Sequence, residues 1–255
     1  MASRWSARTS LPFRAYRRLG TIALLLLALV PLHYLWLAAR KKSPWPQRFL
    51  RWSGRAAGLR VSLAGEPRQH NVLYVANHSS WLDILALSGA TGTAFVAKAE
   101  MRDWPVLGWM TRLNGTVFVD REAGLKRTVY EPRNVKARLD YYIEAVFWAL
   151  QSGRPLTIFP EGTTGDGKAL LPFKSSLLAA AEQFSVQPVA IDYRPNNALV
   201  GWTDDTTIGE NAIPILNRRG RLPVTLRFLE PLEVTDRKAL TRAARSAIAA
   251  ALGQA

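Results

Sequence analysis

The sequence predicts an α/β domain, a mainly parallel central sheet flanked by helices, preceded by an N-terminal hydrophobic membrane-anchoring helical segment. Three observations carry that expectation. Short, near-continuous apolar runs rich in β-formers recur between residues 71 and 193, as in strands buried on both faces. Helix-length stretches separate them, which favours a layered α/β arrangement over an all-β one. Residues 19–39, LGTIALLLLALVPLHYLWLAA, are 21 positions without a formal charge, about the length that crosses a hydrocarbon core of roughly 30 Å.

The arm comes first. Arg14, Arg17 and Arg18 precede the apolar run and Arg40, Lys41 and Lys42 follow it. A cleaved signal peptide fits poorly, because the run exceeds the usual length of about 7 to 15 residues and lysines stand where small residues should mark a cleavage site. Basic residues on both sides give no orientation, and Pro31 invites a kink or a re-entrant path. His33 reads as a packed or interfacial histidine. Residues 45–61 mix Trp45, Phe49, Leu50 and Trp52 with Arg48, Arg51 and Arg55, the pattern of an interfacial amphipathic helix drawn to anionic lipid.

Charge agrees with that division. Of 34 Lys and Arg and 19 Asp and Glu, residues 1–60 hold 12 basic and no acidic groups, so they account for +12 of the net +15. The remaining 195 residues carry 22 basic against 19 acidic groups, or +3, which argues against nucleic acid as a partner. The expected organisation is a basic, hydrophobic membrane-anchoring arm over 1–61 and an α/β domain over 62–255. With no cysteine, disulfides, thiolate metal sites and a cysteine nucleophile are excluded.

Within the domain, strands are expected over 71–76, 92–97, 115–120, 155–159 and 187–193. Residues 224–230, VTLRFLE, alternate in polarity and read as a half-exposed edge strand. Helices are expected over 135–150, 175–184 and 237–252, the last capped by Thr235. Residues 121–138 and 194–221 read as charged or polar surface segments that flank a substrate site.

The chemistry concentrates where strands end. In YVANHSSWLDI, residues 74–84, a buried strand delivers His78 to its carboxyl edge, where α/β sheets hold ligands. Ser80 fits a helix N-cap, which puts Asp83 in the first turn. Two readings compete: a capping box, with Asp83 serving backbone amides, or a His–Asp dyad with His78 as base. A second strand end, TIFPEGTTGDGK (157–168), supplies Glu161, Gly162 and Thr163 in a glycine-bearing loop, with Lys174 beyond; it is neither a P-loop nor a dinucleotide fingerprint. Gly115 opens a third run that ends on Arg121, and Lys98 ends another, so both cations are placed to meet an anion.

Four ordered motifs over about residues 70–193 resemble the glycerolipid acyltransferases typified by 1-acyl-glycerol-3-phosphate acyltransferases. They are the His-x4-Asp block Asn77-His78-Ser79-Ser80-Trp81-Leu82-Asp83, the block from Gly115 to Arg121, Phe159-Pro160-Glu161-Gly162-Thr163, and Val186-Gln187-Pro188-Val189. The resemblance implies transfer of a fatty acyl chain from acyl-CoA or acyl carrier protein to the free hydroxyl of a lysophospholipid, 1-acyl-glycerol-3-phosphate becoming phosphatidic acid. His78 would be general base and Asp83 its orienting carboxylate. Lys98, Gly115, Arg121, Glu161, Gly162, Thr163 and Lys174 would bind substrate, with no metal or cofactor, at the cytoplasmic face of the inner membrane. Thr164 stands where the family commonly has Arg, and Ser175-Ser176 where it often has Gly. EGTTGDGKALLPFKSSL and FVAKAEMRDWPVLG are similar to the branch that acylates lyso-ornithine lipid, which is the alternative acceptor. A non-catalytic membrane-surface lipid-binding protein is the alternative of another class; a serine hydrolase is disfavoured because no Gly-x-Ser-x-Gly elbow occurs.

Overall fold

The computed structural model describes residues 12–105, 107–119, 135–151, 153–181, 184–233 and 236–254. Arg121 and most of the 121–138 segment lie outside the described residues, as does Thr235. In chain order the elements are α1 (Phe13–Ala38), α2 (Trp45–Ala57), β1 (Leu59–Ala64), β2 (Val72–Ala76), α3 (Leu82–Thr91), β3 (Ala94–Lys98), α4 (Leu107–Leu113), β4 (Val117–Val119) and α5 (Val135–Gln151). There follow β5 (Leu156–Ile158), β6 (Ser185–Asp192), α6 (Asn197–Val200), α7 (Ile208–Asn217), β7 (Leu222–Phe228) and α8 (Arg237–Ala251).

Among the described residues the strands form one sheet in the order β1-β7-β6-β2-β5-β3-β4. All neighbours run parallel except β6 and β7. The expected α/β class is therefore observed, and β2 lies at its centre. Its five residues are all buried, Val72, Tyr74 and Ala76 in the core beneath α3 and α7, Leu73 and Val75 in the core beneath α5 and α8. Two cores explain one unbroken apolar run: successive side chains point to opposite faces, and helices cover both.

Several elements differ from expectation for identifiable reasons. Residues 224–230 alternate in burial as predicted, yet β7 is flanked on both sides; the edge strand on that side is β1, paired in parallel with it. The predicted 45–61 helix stops at Ala57, where Gly58 takes φ 103° as a left-handed cap, and the chain then enters β1. In the expected 175–184 helix, Ser175–Leu178 form a 3₁₀ turn and no α-helix is found among the described residues. Leu177, Leu178, Ala180 and Ala181 are all buried, so close packing of near-consecutive residues and not a helical stripe explains their apolarity. The 194–221 segment contains α7, whose start carries a Thr207–Glu210 capping box. At the last helix the N-cap is Asp236, whose side chain accepts from the Ala239 amide.

The arm folds against this body. α1 runs 26 residues without a break at Pro31 and is long and apolar enough to cross a membrane; only 11% of its most apolar window is buried. Arg18 bonds the carbonyls of Ala57 (2.9 Å) and Ile215 (3.2 Å), placing a cation at the carboxyl ends of α2 and α7, where the helix dipoles favour it. His33 is buried and bonded to Ser43 Oγ at 2.8 Å, a packed histidine as expected. On its other side α2 meets α3 closely. A Cβ on Gly89 would lie 2.8 Å from Arg51 Cα, so glycine there permits the approach.

Candidate active site

The site begins where β2 ends. Asn77 continues the strand with its side chain: Nδ2 donates to the Ile191 carbonyl (3.1 Å) and Oδ1 accepts from the Ile191 amide (2.8 Å). That double bond to β6 fixes the point at which His78 leaves the sheet. His78 Nδ1 lies 2.8 Å from Asp83 Oδ2, with the ring 18% exposed and the carboxylate fully buried. Oδ2 also accepts the amides of Ser79 (2.8 Å) and Ser80 (2.9 Å), and Oδ1 accepts the Tyr193 hydroxyl at 2.7 Å. The capping arrangement and the His–Asp pair thus coexist on one carboxylate. The helix itself starts at Leu82, one residue later than the Ser80 cap predicts.

This geometry selects a tautomer. A carboxylate accepting at Nδ1 keeps the proton on that nitrogen and leaves the Nε2 lone pair for the cavity. Phe159 stacks on the imidazole, 4.0 Å between ring centres and 11° between planes, and Phe95 continues the stack. Tyr193 holds its own proton firmly, because burial, the Asp83 charge and its bond to Asp83 all push its pKa well above the usual value.

The loop after β5 closes around His78. Glu161 Oε1 accepts the His78 amide (2.9 Å) and Oε2 the Leu171 amide (3.2 Å); the Gly165 amide donates to the His78 carbonyl (3.0 Å). Gly162 makes the turn with φ 80°, a conformation that favours glycine. From the far side the Trp202 amide donates to the Ser79 carbonyl (3.0 Å), and Thr163 Oγ1 donates to Asp204 Oδ1 (3.0 Å).

His78 opens onto a cavity of about 600 Å³ whose wall is largely apolar. Its roof comes from the arm: Leu26, Leu29 and Val30 of α1 and Phe49 and Leu50 of α2, with Leu85 of α3 alongside. Of the residues singled out by sequence, His78, Lys98, Gly162 and Thr163 line this cavity, and Asp83 stands directly behind His78. Glu161 does not reach it; both its oxygens are held by backbone amides beneath the loop. Gly115 makes a left-handed turn between α4 and β4, and the Lys174 side chain is exposed away from the lining. Sequence reasoning missed Tyr193, Asp204 and the contribution of the arm to the cavity wall. For α7 and the loop before it, the Thr207-x-x-Glu210 box was the available signal.

Comparison with known proteins identifies the family. A family model described as Acyltransferase matches residues 60–192. A lyso-ornithine lipid O-acyltransferase of Brucella abortus is 35% identical, with 95% of each chain covered. The chain belongs to the acyltransferase family. Another lyso-ornithine lipid O-acyltransferase, from Pseudomonas aeruginosa, is 34% identical over 96% of this acyltransferase and 95% of that protein. A 1-acyl-sn-glycerol-3-phosphate acyltransferase of Neisseria gonorrhoeae is 39% identical, over 54% of this chain and 49% of its own. Among solved structures, the 1-acyl-sn-glycerophosphate acyltransferase PlsC of Thermotoga maritima shares the fold, with a TM-score of 0.63 at 22% identity over 95% of this acyltransferase and 97% of that chain.

Proposed function

We propose that this acyltransferase moves a fatty acyl chain from a thioester of coenzyme A or acyl carrier protein to the free hydroxyl of lyso-ornithine lipid, with His78 as general base oriented by Asp83. The observation that carries the reading is the Asp83-held imidazole opening onto an apolar cavity roofed by a membrane-type helix. His78 Nε2 takes the hydroxyl proton as the oxygen attacks the thioester carbonyl. The tetrahedral intermediate then collapses, the carbon–sulfur bond breaks, and the imidazolium returns the proton to the departing thiolate. A base so placed contributes typically about 10²–10⁴-fold. The scheme calls for no metal or cofactor, and it works at the cytoplasmic face of the inner membrane, where the lysolipid can offer its hydroxyl while its chain stays in apolar surroundings.

Two observations support the ornithine acceptor: relatives of that name match along nearly the whole chain, and the neutral Thr164 lines the cavity beside the Glu161–Thr163 loop. The half-length match to the gonococcal enzyme favours a second reading, with 1-acyl-glycerol-3-phosphate as acceptor. The test offers both acceptors, with labelled acyl-CoA and acyl carrier protein, to the full chain in lipid. Transfer to lyso-ornithine lipid that is lost in His78→Ala is the expected result. Lipid binding without transfer by the unmodified protein would identify a non-catalytic binder, and no transfer to either acceptor overturns the proposal.

A further inference from the structure

We infer that Asp204 and Lys98 clamp a zwitterionic acceptor headgroup, Asp204 receiving its ammonium and Lys98 its carboxylate. The inference rests on the lyso-ornithine reading above and deepens it by naming the residues that would enforce it. Ornithine joined to a fatty acid through one amine keeps its second amine as a cation and its carboxyl group as an anion. Lysophosphatidate offers only a phosphate with up to two negative charges.

The charges on the cavity wall discriminate between these two. Among the described residues lining it, and leaving the histidines His33 and His78 aside, the ionisable groups are Lys98, Glu100 and Asp204: one cation against two carboxylates. Against these three charges a dianion finds one cation and two carboxylates, whereas a zwitterion finds a partner for each of its charges. Asp204 also lines the same cavity as His78 and is held in place there. Its Oδ1 takes the Thr163 hydroxyl at 3.0 Å, and two residues earlier the Trp202 amide is bound to the carbonyl of Ser79, the neighbour of His78. Asp204 Oδ2 has no partner among the described residues. Asp205, by contrast, is engaged by Thr203 within its own loop and does not line the cavity. Lys98 ends β3 at the same carboxyl edge of the sheet, half-buried, with no ion pair among the described residues. Of the two lysines in the loop after β5, Lys168 pairs with Asp166 at 3.8 Å, and both Lys168 and Lys174 lie off the lining.

The experiment uses the full chain in phosphatidylcholine nanodiscs, with one acyl thioester and three acceptors: lyso-ornithine lipid, the same lipid with its side-chain amine acetylated, and lysophosphatidate. The unmodified enzyme is expected to prefer the free amine over the acetylated one by about 10-fold in kcat/KM, the scale of one charge-assisted hydrogen bond at an open site. Asp204→Asn keeps the oxygen that Thr163 binds and removes the charge. It should erase that preference by lowering the free-amine acceptor alone, and Asp204→Lys should raise the share of transfer to lysophosphatidate. Lys98→Met should lower both ornithine acceptors together, since each retains the carboxylate. A fall of equal size on both ornithine acceptors in Asp204→Asn, or no fall on either, overturns the clamp while leaving the acceptor assignment intact. An unmodified enzyme that acylates lysophosphatidate and neither ornithine lipid overturns both.

Discussion

Asp83 at the start of α3 and Glu161 in the loop after β5 are both buried carboxylates bonded to His78, and they serve different ends. Asp83 takes the ring nitrogen, two amides and a phenol, all at a helix N-terminus. Glu161 takes two amides and never touches the ring. The Glu161 pKa is raised to about 7, chiefly by burial; the bonds from His78 and Leu171 oppose the rise, the Asp83 charge adds to it, and Arg245 opposes it. Burial alone therefore does not mark a carboxylate that serves the chemistry. The donors that surround it do: one of these acids sets a proton's place on a ring, and the other shapes the backbone that carries the ring.

The sharpest way to break this comparison is to remove the ring. His78→Ala should lower kcat by roughly 10⁴-fold, the upper range for a positioned general base, with the fold checked by thermal unfolding. Asp83→Asn comes next: an amide no longer dictates which ring nitrogen carries the proton, and kcat should fall by roughly 10³-fold. For Glu161 the readout is stability. Its folded pKa of about 7 lies above the ordinary 4.5, so the proton is held more tightly in the folded chain. That contribution is complete below about pH 4.5 and is lost as the pH rises through 7, a fall of roughly 3 kcal/mol across the window. Glu161→Gln should flatten this part of the dependence, seen as a smaller drop in Tm between pH 5 and 8 than the unmodified chain shows. An unchanged drop would remove Glu161 from the account. The smallest effect is expected of Tyr193→Phe, which deletes one of the four donors to Asp83 and should lower kcat about 10-fold, with a shifted pH profile as the sign that positioning was disturbed.

How much of this was legible depended on sequence distance. The strand run ending at Ala76, and His78 five residues before Asp83, lie within one short stretch, and local periodicity with capping chemistry reads them directly. Tyr193 reaches Asp83 across 110 positions, because β6 lies beside β2, and no local pattern announces that adjacency. The arm was read as a separate anchor, since its charge and hydropathy differ so sharply from the rest. Its apolar face, however, packs partly inward and completes the cavity wall, which composition alone cannot express. The 175–184 helix was expected for a related reason: Leu177, Leu178, Ala180 and Ala181 are buried nearly consecutively, so their apolarity carries no period from which the backbone can be judged.

The stack of Phe159 on His78 carries a further consequence. A ring pinned flat on one side and bonded at Nδ1 cannot turn over between the two halves of a reaction cycle. Under the mechanism proposed above, the nitrogen that takes the proton from the alcohol is therefore the one that hands it to sulfur, and both groups meet the imidazole at the same corner. In the proposed reaction alcohol oxygen and thioester sulfur are both attached to the tetrahedral carbon while the proton passes from one to the other, so a single ring nitrogen serves both without the imidazole having to move.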